Sequence, residues 1–124
     1  MIRIAICEDE TLLLNQLADT VKIILDKHSV SHTIELFTSG TALLVRAPFD
    51  LLLLDIAMKP LSGLELARKL RTRGDDSKII FITAHQQYAI DAFDVQAFHY
   101  LVKPVDVPKL ETVLLKLCPS IQTE

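Results

Sequence analysis

Acidic, hydroxyl and ammonium side chains directly follow apolar segments of strand length in this sequence. Glu8 and Asp9 come after the first such segment, and Asp55 comes after four consecutive leucines. Thr83 and Lys103 follow two later segments. A carboxylate beside a dry interior costs free energy unless a cation balances it, so we expect Asp55 to lie next to a positive charge.

These residue types predict a magnesium site. Carboxylates that share one pocket repel one another, and a hard divalent cation together with Lys103 would balance their charge. Mg²⁺ accepts a few carboxylate ligands, keeps several waters and commonly bridges to phosphate oxygens. Zinc is disfavoured, because the histidines at positions 28, 32, 85 and 99 lack the spacing of zinc ligands.

A metal with a nearby lysine supports the transfer of a phosphoryl group to a carboxylate oxygen. Asp55 is the expected nucleophile, whereas Glu8 and Asp9 begin a helical pattern and are better placed to hold the metal. Thr83 would then hydrogen-bond the transferred group. Two simpler interpretations stay open: Glu8 and Asp9 could cap that helix, and Lys103 taken alone could be an exposed loop residue.

Five apolar segments alternate with helical patterns, which predicts an α/β fold. The predicted strands are Ile2 to Cys7, Thr33 to Phe37, Leu51 to Leu54, Lys78 to Ile82 and Phe98 to Val102. Such alternation produces right-handed crossovers and a parallel sheet with helices on both faces. The carboxyl ends of neighbouring strands share one edge of that sheet, where we expect the candidate residues to meet.

Helix signals divide the rest of the chain. The predicted helices run from about Thr11 to Lys27, from Ser39 to before Pro48, from the N-cap Ser62 to Gly74, from about Gln86 to Asp94, and from the N-cap Asp106 to Pro119. Glu65 completes a capping box with Ser62. The fourth helix is more polar and alanine-rich, so we expect it to pack weakly on the surface and to move most readily.

Composition and charge narrow the class of protein. The chain has 124 residues, of which 50% are hydrophobic, and a net charge of −3, which fits one domain that does not bind nucleic acid directly. The first residues show no signal-peptide pattern, and no apolar run reaches membrane-spanning length. Cys7 and Cys118 are expected to be reduced and buried. Together these features favour a cytoplasmic protein without membrane contact.

The candidate residues, taken in order, resemble the pattern of bacterial response-regulator receiver domains. The matching positions are Glu8-Asp9, the LLLLD run ending in Asp55, Gly63, Thr83-Ala84 and Lys103-Pro104. The resemblance implies a flavodoxin-like (βα)5 doubly wound fold whose five parallel strands have the order 2-1-3-4-5. It also implies a phosphoacceptor domain that assists its own phosphorylation and dephosphorylation and is otherwise not an enzyme.

Carried over by position, the resemblance makes Asp55 the phosphoacceptor. Asp9 and Asp55 would bind Mg²⁺ directly together with the backbone carbonyl of Ala57, and Glu8 would contribute through water. In receivers, two positions influence how fast water removes the phosphoryl group, and Ala57 and His85 occupy them in this chain.

The resemblance also implies how the site reports its state. Thr83 and Lys103 would engage the phosphoryl group. Tyr100 matches the aromatic switch position, whose side chain turns inward when the threonine shifts toward the phosphoryl group. A half-buried strand tyrosine is the simpler interpretation of the same residue.

A more specific resemblance lies in the segment HQQYAIDAFDVQAFHYLVKP, which looks like receivers that precede LytTR-type (LytR/AgrA-like) DNA-binding domains. It implies a receiver over residues 1–119 and a tail or linker over 120–124. The implied partners are a sensor histidine kinase, a DNA-binding output domain and a second copy bound through the fourth helix, fifth strand and fifth helix. A stand-alone phosphorelay receiver is the alternative.

One departure concerns the loop after the phosphoacceptor. The family usually has proline four residues after it, where this chain has Lys59, and the proline stands at Pro60. The loop over the site is therefore expected to have a different shape.

Three other functions are compatible with parts of the pattern, but each fits it less well than a receiver does. A haloacid-dehalogenase-type phosphohydrolase usually has a second aspartate where Ala57 stands. A nucleotide- or flavin-binding module is disfavoured because the first strand-helix turn reads CEDET and has no glycine-rich loop. A structural interaction domain with a degenerate site would not need the complete set of polar residues.

Overall fold

A computed structural model describes the chain over residues 1–121, with side chains over residues 1–118. Its strands are β1 (Ile2–Cys7), β2 (His32–Phe37), β3 (Leu51–Leu54), β4 (Lys78–Thr83) and β5 (His99–Val102). Its helices are α1 (Thr11–Lys27), α2 (Gly40–Arg46), α3 (Gly63–Thr72), α4 (Ala89–Asp94) and α5 (Val107–Ile121). The strands pair in parallel in the order β2-β1-β3-β4-β5, which confirms the predicted flavodoxin-like doubly wound fold.

The central strand β3 explains why an unbroken apolar run is needed in this fold. Side chains alternate across a strand, and both faces of this sheet are covered. Leu51 and Leu53 join the core beneath α1 and α5, whereas Leu52 and Leu54 join the core beneath α2, α3 and α4. All four leucines are fully buried, so the chain that follows β3 starts from a rigid, dry support.

The capping box predicted at the start of α3 is confirmed. The Ser62 hydroxyl accepts a hydrogen bond from the Glu65 amide at 3.1 Å, and the Glu65 carboxylate accepts one from the Ser62 amide at 2.9 Å. Gly74, at φ +81°, follows the end of the helix, where an L side chain would be strained. These contacts set both ends of the helix that follows the loop after β3.

The fourth helix packs weakly, as predicted, although its α-helical part is short. Residues Gln86–Tyr88 form a 3₁₀ turn and α4 proper begins at Ala89, since tighter turns commonly open a helix. Ala92 is its buried residue, while Ile90 and Phe93 are exposed. Its grip on the core is therefore small.

A guanidinium group holds the far end of α4. Arg71 of α3 donates to the backbone carbonyls of Val95 at 2.8 Å and Gln96 at 3.2 Å, and also to that of Asp75 at 2.9 Å. The C-terminal end of α4 is thus fastened to α3. Its N-terminal end faces the loop after β4.

The prediction that Pro119 ends the last helix is wrong, because α5 continues to Ile121. A proline near a helix end removes one hydrogen bond, but its fixed φ lies close to the helical value. The expected tail over 120–124 is therefore helical in its first two residues, and residues 122–124 lie outside the described part of the chain. No described helix is long and apolar enough to cross a membrane.

Gly63 is expected to tolerate no side chain, because an added Cβ would stand 2.1 Å from the Asp55 carbonyl oxygen. Gly63→Ala should lower the free energy of unfolding by about 1–3 kcal/mol, measured by urea denaturation.

Gly40→Ala is the matched control, since Gly40 is likewise the first residue of a helix. There an added Cβ would meet a flexible Leu61 side chain at 3.3 Å, and the cost should stay below about 1 kcal/mol. Equal losses for the two variants would contradict the close approach at Gly63.

Candidate functional site

The parallel register brings the ends of four strands to one edge of the sheet. Cys7 pairs with Leu54, so the residues that follow β1 and β3 are neighbours, and the Asp55 amide donates to the Cys7 carbonyl at 3.0 Å. On the other side, the Lys103 amide donates to the Thr83 carbonyl at 2.8 Å. Backbone pairing alone therefore places these residues in one pocket.

Three carboxylates converge in this pocket. Ligand oxygens of Glu8, Asp9 and Asp55 all lie within 4.8 Å of one another. Glu8 and Asp55 are buried, with 4% and 8% of their surface exposed, whereas Asp9 is open to solvent. So much negative charge at a buried edge requires cations to offset it.

One cation is supplied by Lys103. Its ammonium donates to Glu8 Oε1 at 2.5 Å and lies 3.5 Å from Asp55 Oδ2, with 21% of its side chain exposed. Burial disfavours its charged form, but Glu8 and Asp55 outweigh burial and raise the pKa of Lys103. The lysine is therefore held as an ammonium between two carboxylates.

The two buried carboxyls respond to this environment in opposite ways. Burial raises the pKa of Asp55, and the charge of Glu8 raises it further, with Lys103 and Thr83 acting against the rise. Burial also opposes ionisation of Glu8, but the hydrogen bonds from Lys103 and from the Glu10 amide prevail and lower the pKa of Glu8. Lys103 thus stabilises the charged form of Glu8 more than that of Asp55.

The pocket has the donor set of a magnesium site. Asp55 Oδ1 is buried and has no hydrogen-bond partner among the described residues. Such an acceptor, next to the carboxylates of Glu8 and Asp9, fits a hard cation that takes oxygen ligands. Ala57 lines the cavity beside Asp9.

An open cavity of about 340 Å³ borders Asp9 of this acid group. Its lining residues are Asp9, Ile56, Ala57, Met58, Lys59, Ser62, Leu64, His85 and Tyr88. Lys59 was expected only to alter the loop shape, and its place in the cavity wall was not predicted. The substitution of the usual proline by a charged residue was the signal available in the sequence.

Tyr100 and Thr83 both contact the backbone of His85. The Tyr100 hydroxyl donates to the His85 carbonyl, and the Thr83 hydroxyl accepts from the His85 amide at 3.4 Å. The Tyr100 ring also packs against Phe81, with ring centroids 6.3 Å apart. The loop after β4 is therefore tied at one residue to both the pocket and β5.

A sulfur contact beneath the acids was not predicted. Cys7 Sγ donates to Met58 Sδ at 3.5 Å, in the core under the loop after β3. Burial, followed by the charges of the three neighbouring acids, raises the pKa of Cys7 to about 12. Both cysteines are buried, as predicted, and neither forms a disulfide bond.

Known proteins with solved structures share this fold. The response regulatory domain of protein mrkE from Klebsiella pneumoniae superposes with a TM-score of 0.86 and 27% identity, covering 98% of this chain and 99% of that one. Response regulator protein TrrA from Thermotoga maritima was solved in complex with Mg(2+)-BeF. It superposes with a TM-score of 0.79 and 31% identity, covering 94% of this chain and 99% of that one.

Sequence comparison points to the same group. Sensory transduction protein LytT of Bacillus subtilis is 32% identical over 116 residues, which cover 94% of this chain and 48% of that protein. The chain thus spans about half the length of the curated relatives it matches, and their names confirm the predicted likeness to LytT and LytR regulators. Because the response regulator receiver domain model also matches residues 4–115, this chain belongs to the receiver-domain family of response regulators.

Proposed function

We propose that this domain is a signalling switch that accepts a phosphoryl group on Asp55. The observation that carries the proposal is the state of that carboxylate. One of its oxygens is buried without a hydrogen-bond donor among the described residues, and the other lies 3.5 Å from the Lys103 ammonium. An acceptor oxygen beside a fixed cation suits an attack on an anionic phosphoryl group.

The proposed reaction is a single displacement at phosphorus. An Asp55 oxygen forms the new bond to phosphorus while the bond to the donor's leaving group breaks, and the leaving group carries away the electron pair. Lys103 neutralises charge on the phosphoryl oxygens. The donor would be a phosphohistidine of a sensor kinase or a small phosphodonor.

The resident metal in this proposal is Mg²⁺. Asp9, Asp55 and the Ala57 carbonyl would hold it directly, and Glu8 through water. When bound, it would add positive charge next to the phosphoryl oxygens. The similar protein TrrA was solved in complex with Mg(2+)-BeF, which contains this metal.

The proposed switch runs from the pocket to α4. Phosphorylation would place about −1.5 to −2 of charge on the phosphoryl group in exchange for the single charge of the Asp55 carboxylate, and this group would draw Thr83 and Lys103 toward it. Thr83 and Tyr100 share His85 as a partner, so a shift at Thr83 alters the loop that leads into α4. Ala57 and His85 in the cavity wall would set how readily water removes the group.

The proposed output is a changed α4-β5-α5 face. Ile90 and Phe93 of α4, Val102 of β5 and Val107 of α5 are exposed on these elements. A second copy bound there would cover apolar surface, and a DNA-binding output domain following the receiver would read the change. The relatives' names and their roughly twofold greater length support this proposal.

Asp55→Asn is expected to abolish phosphorylation. After incubation with Mg²⁺ and acetyl phosphate, intact-mass spectrometry of the wild type should show one added, hydrolytically labile phosphoryl group. Asp76→Asn is the control, because Asp76 is exposed and precedes β4 at the opposite edge of the sheet. No adduct in wild type, or an adduct that survives in Asp55→Asn, would refute the proposal.

Tyr100→Phe should leave the adduct in place while loosening α4. Losing one hydrogen bond costs about 1 kcal/mol, so amide hydrogen exchange in α4 of the Mg²⁺- and beryllofluoride-treated protein should quicken roughly fivefold.

Tyr88→Phe is the matched control for this variant. It removes a hydroxyl from the same loop that makes no hydrogen bond to the described residues. If exchange in α4 were equal in the two variants, the bond from Tyr100 to His85 would have no part in the switch.

A further inference from the structure

The cavity that borders Asp9 has a cation in its wall. Lys59 lines the cavity together with Asp9, Ala57 and His85. Its side chain is exposed, and it makes no ion pair or hydrogen bond with the described residues. The ammonium of Lys59 is therefore available to a molecule that enters the cavity.

The two lysines of the site differ in what they contact. Lys103 lies within the acid group, where it is bound to Glu8 at 2.5 Å and is close to Asp55. Lys59 stands in the wall, and no carboxylate of the described residues lies within ion-pair distance of it. Lys103 is thus already paired with carboxylates, whereas Lys59 is unpaired among the described residues.

The net charge of the acid group indicates a role for Lys59. Three carboxylates and one ammonium leave the acid group with excess negative charge, which repels an approaching anion. Every phosphodonor presents negatively charged phosphoryl oxygens. A free cation at the entrance offsets the repulsion before the donor reaches Asp55.

We propose that Lys59 is a donor-recruiting residue that contacts the phosphoryl oxygens of the incoming phosphodonor. The inference rests on the proposed function, because it concerns the substrate of the same site. A phosphohistidine and an acyl phosphate carry the same phosphoryl oxygens, so Lys59 would serve both. It would speed capture of the donor without touching the new bond at Asp55.

The same charge has an opposite effect on the metal. A lysine in the cavity that borders Asp9 repels a divalent cation held by the acids, so removing its charge should strengthen Mg²⁺ binding while it weakens donor capture. A residue that only shapes the loop would change Mg²⁺ binding and donor capture in the same direction, or would change neither of them. Opposite effects on Mg²⁺ binding and on donor capture therefore distinguish an electrostatic role of Lys59 from a structural one.

The test compares Lys59→Gln and Lys59→Arg with wild type and with Lys116→Gln. Lys116 is exposed on α5, so its variant makes the same change in net charge away from the pocket. The probes are acetyl phosphate and phosphoramidate, which have an acyl-phosphate bond and a phosphorus-nitrogen bond respectively. Rates of adduct formation are followed by intact-mass spectrometry, and Mg²⁺ affinity without donor by calorimetry.

Lys59→Gln should slow phosphorylation by acetyl phosphate about three- to fivefold, and phosphoramidate, which is less charged, should be affected less. The difference should shrink as salt is added. Mg²⁺ should bind about two- to fivefold more tightly. Lys59→Arg and Lys116→Gln should both behave like wild type.

Three results would overturn the inference while leaving the proposed function intact. They are equal rates in wild type and Lys59→Gln, a slowing that salt does not reduce, and a slowing that Lys59→Arg shares. Absence of any adduct in wild type would instead overturn the proposed function, and this inference with it.

Discussion

The ion pair between Lys103 and the buried acids is the interaction on which the rest of the site depends. Glu8 and Asp55 occupy an edge of the sheet with almost no access to water, where an unpaired carboxylate is costly. The Lys103 ammonium lies closer to Glu8 than to Asp55, and burial, followed by the charge of Glu8, raises the pKa of Asp55. Asp55 thus retains an oxygen without a hydrogen-bond donor among the described residues, and this incomplete neutralisation fits a further cation.

The fold delivers this pocket through backbone pairing rather than through side-chain recognition. Register between the parallel strands places the residue after β3 beside the residues after β1, and the residue after β5 beside Thr83. A fully buried β3 keeps Asp55 on a rigid support, and the close approach of Gly63 to the Asp55 carbonyl fixes the following loop. By contrast, α4 has little buried surface and is held at its C-terminal end by Arg71. A rigid site therefore adjoins a loosely packed helix.

Much of this arrangement could be predicted from the sequence, because strand ends in a parallel sheet share one edge. The LLLLD run and the Ser62 capping box were sufficient to locate β3, Asp55 and α3. The end of α5 was not predictable, since a proline near a helix terminus costs too little to stop the helix. The hydrogen-bond acceptor of the Tyr100 hydroxyl was not predictable either, because a backbone carbonyl has no sequence signal. The position of Lys59 depended on the path of a loop, which residue types alone do not specify.

The central claim is that Asp55 accepts a phosphoryl group beside Lys103, with Mg²⁺ supplying the positive charge that Lys103 alone does not. A crystal structure of this chain with Mg²⁺ and beryllofluoride, a phosphoryl mimic, tests it most directly. The account predicts beryllium bonded to an Asp55 oxygen, the metal among the three carboxylates, and the Lys103 ammonium turned from Glu8 toward fluoride. An Asp55 without beryllofluoride, with Lys103 still bound to Glu8 under saturating conditions, would contradict it.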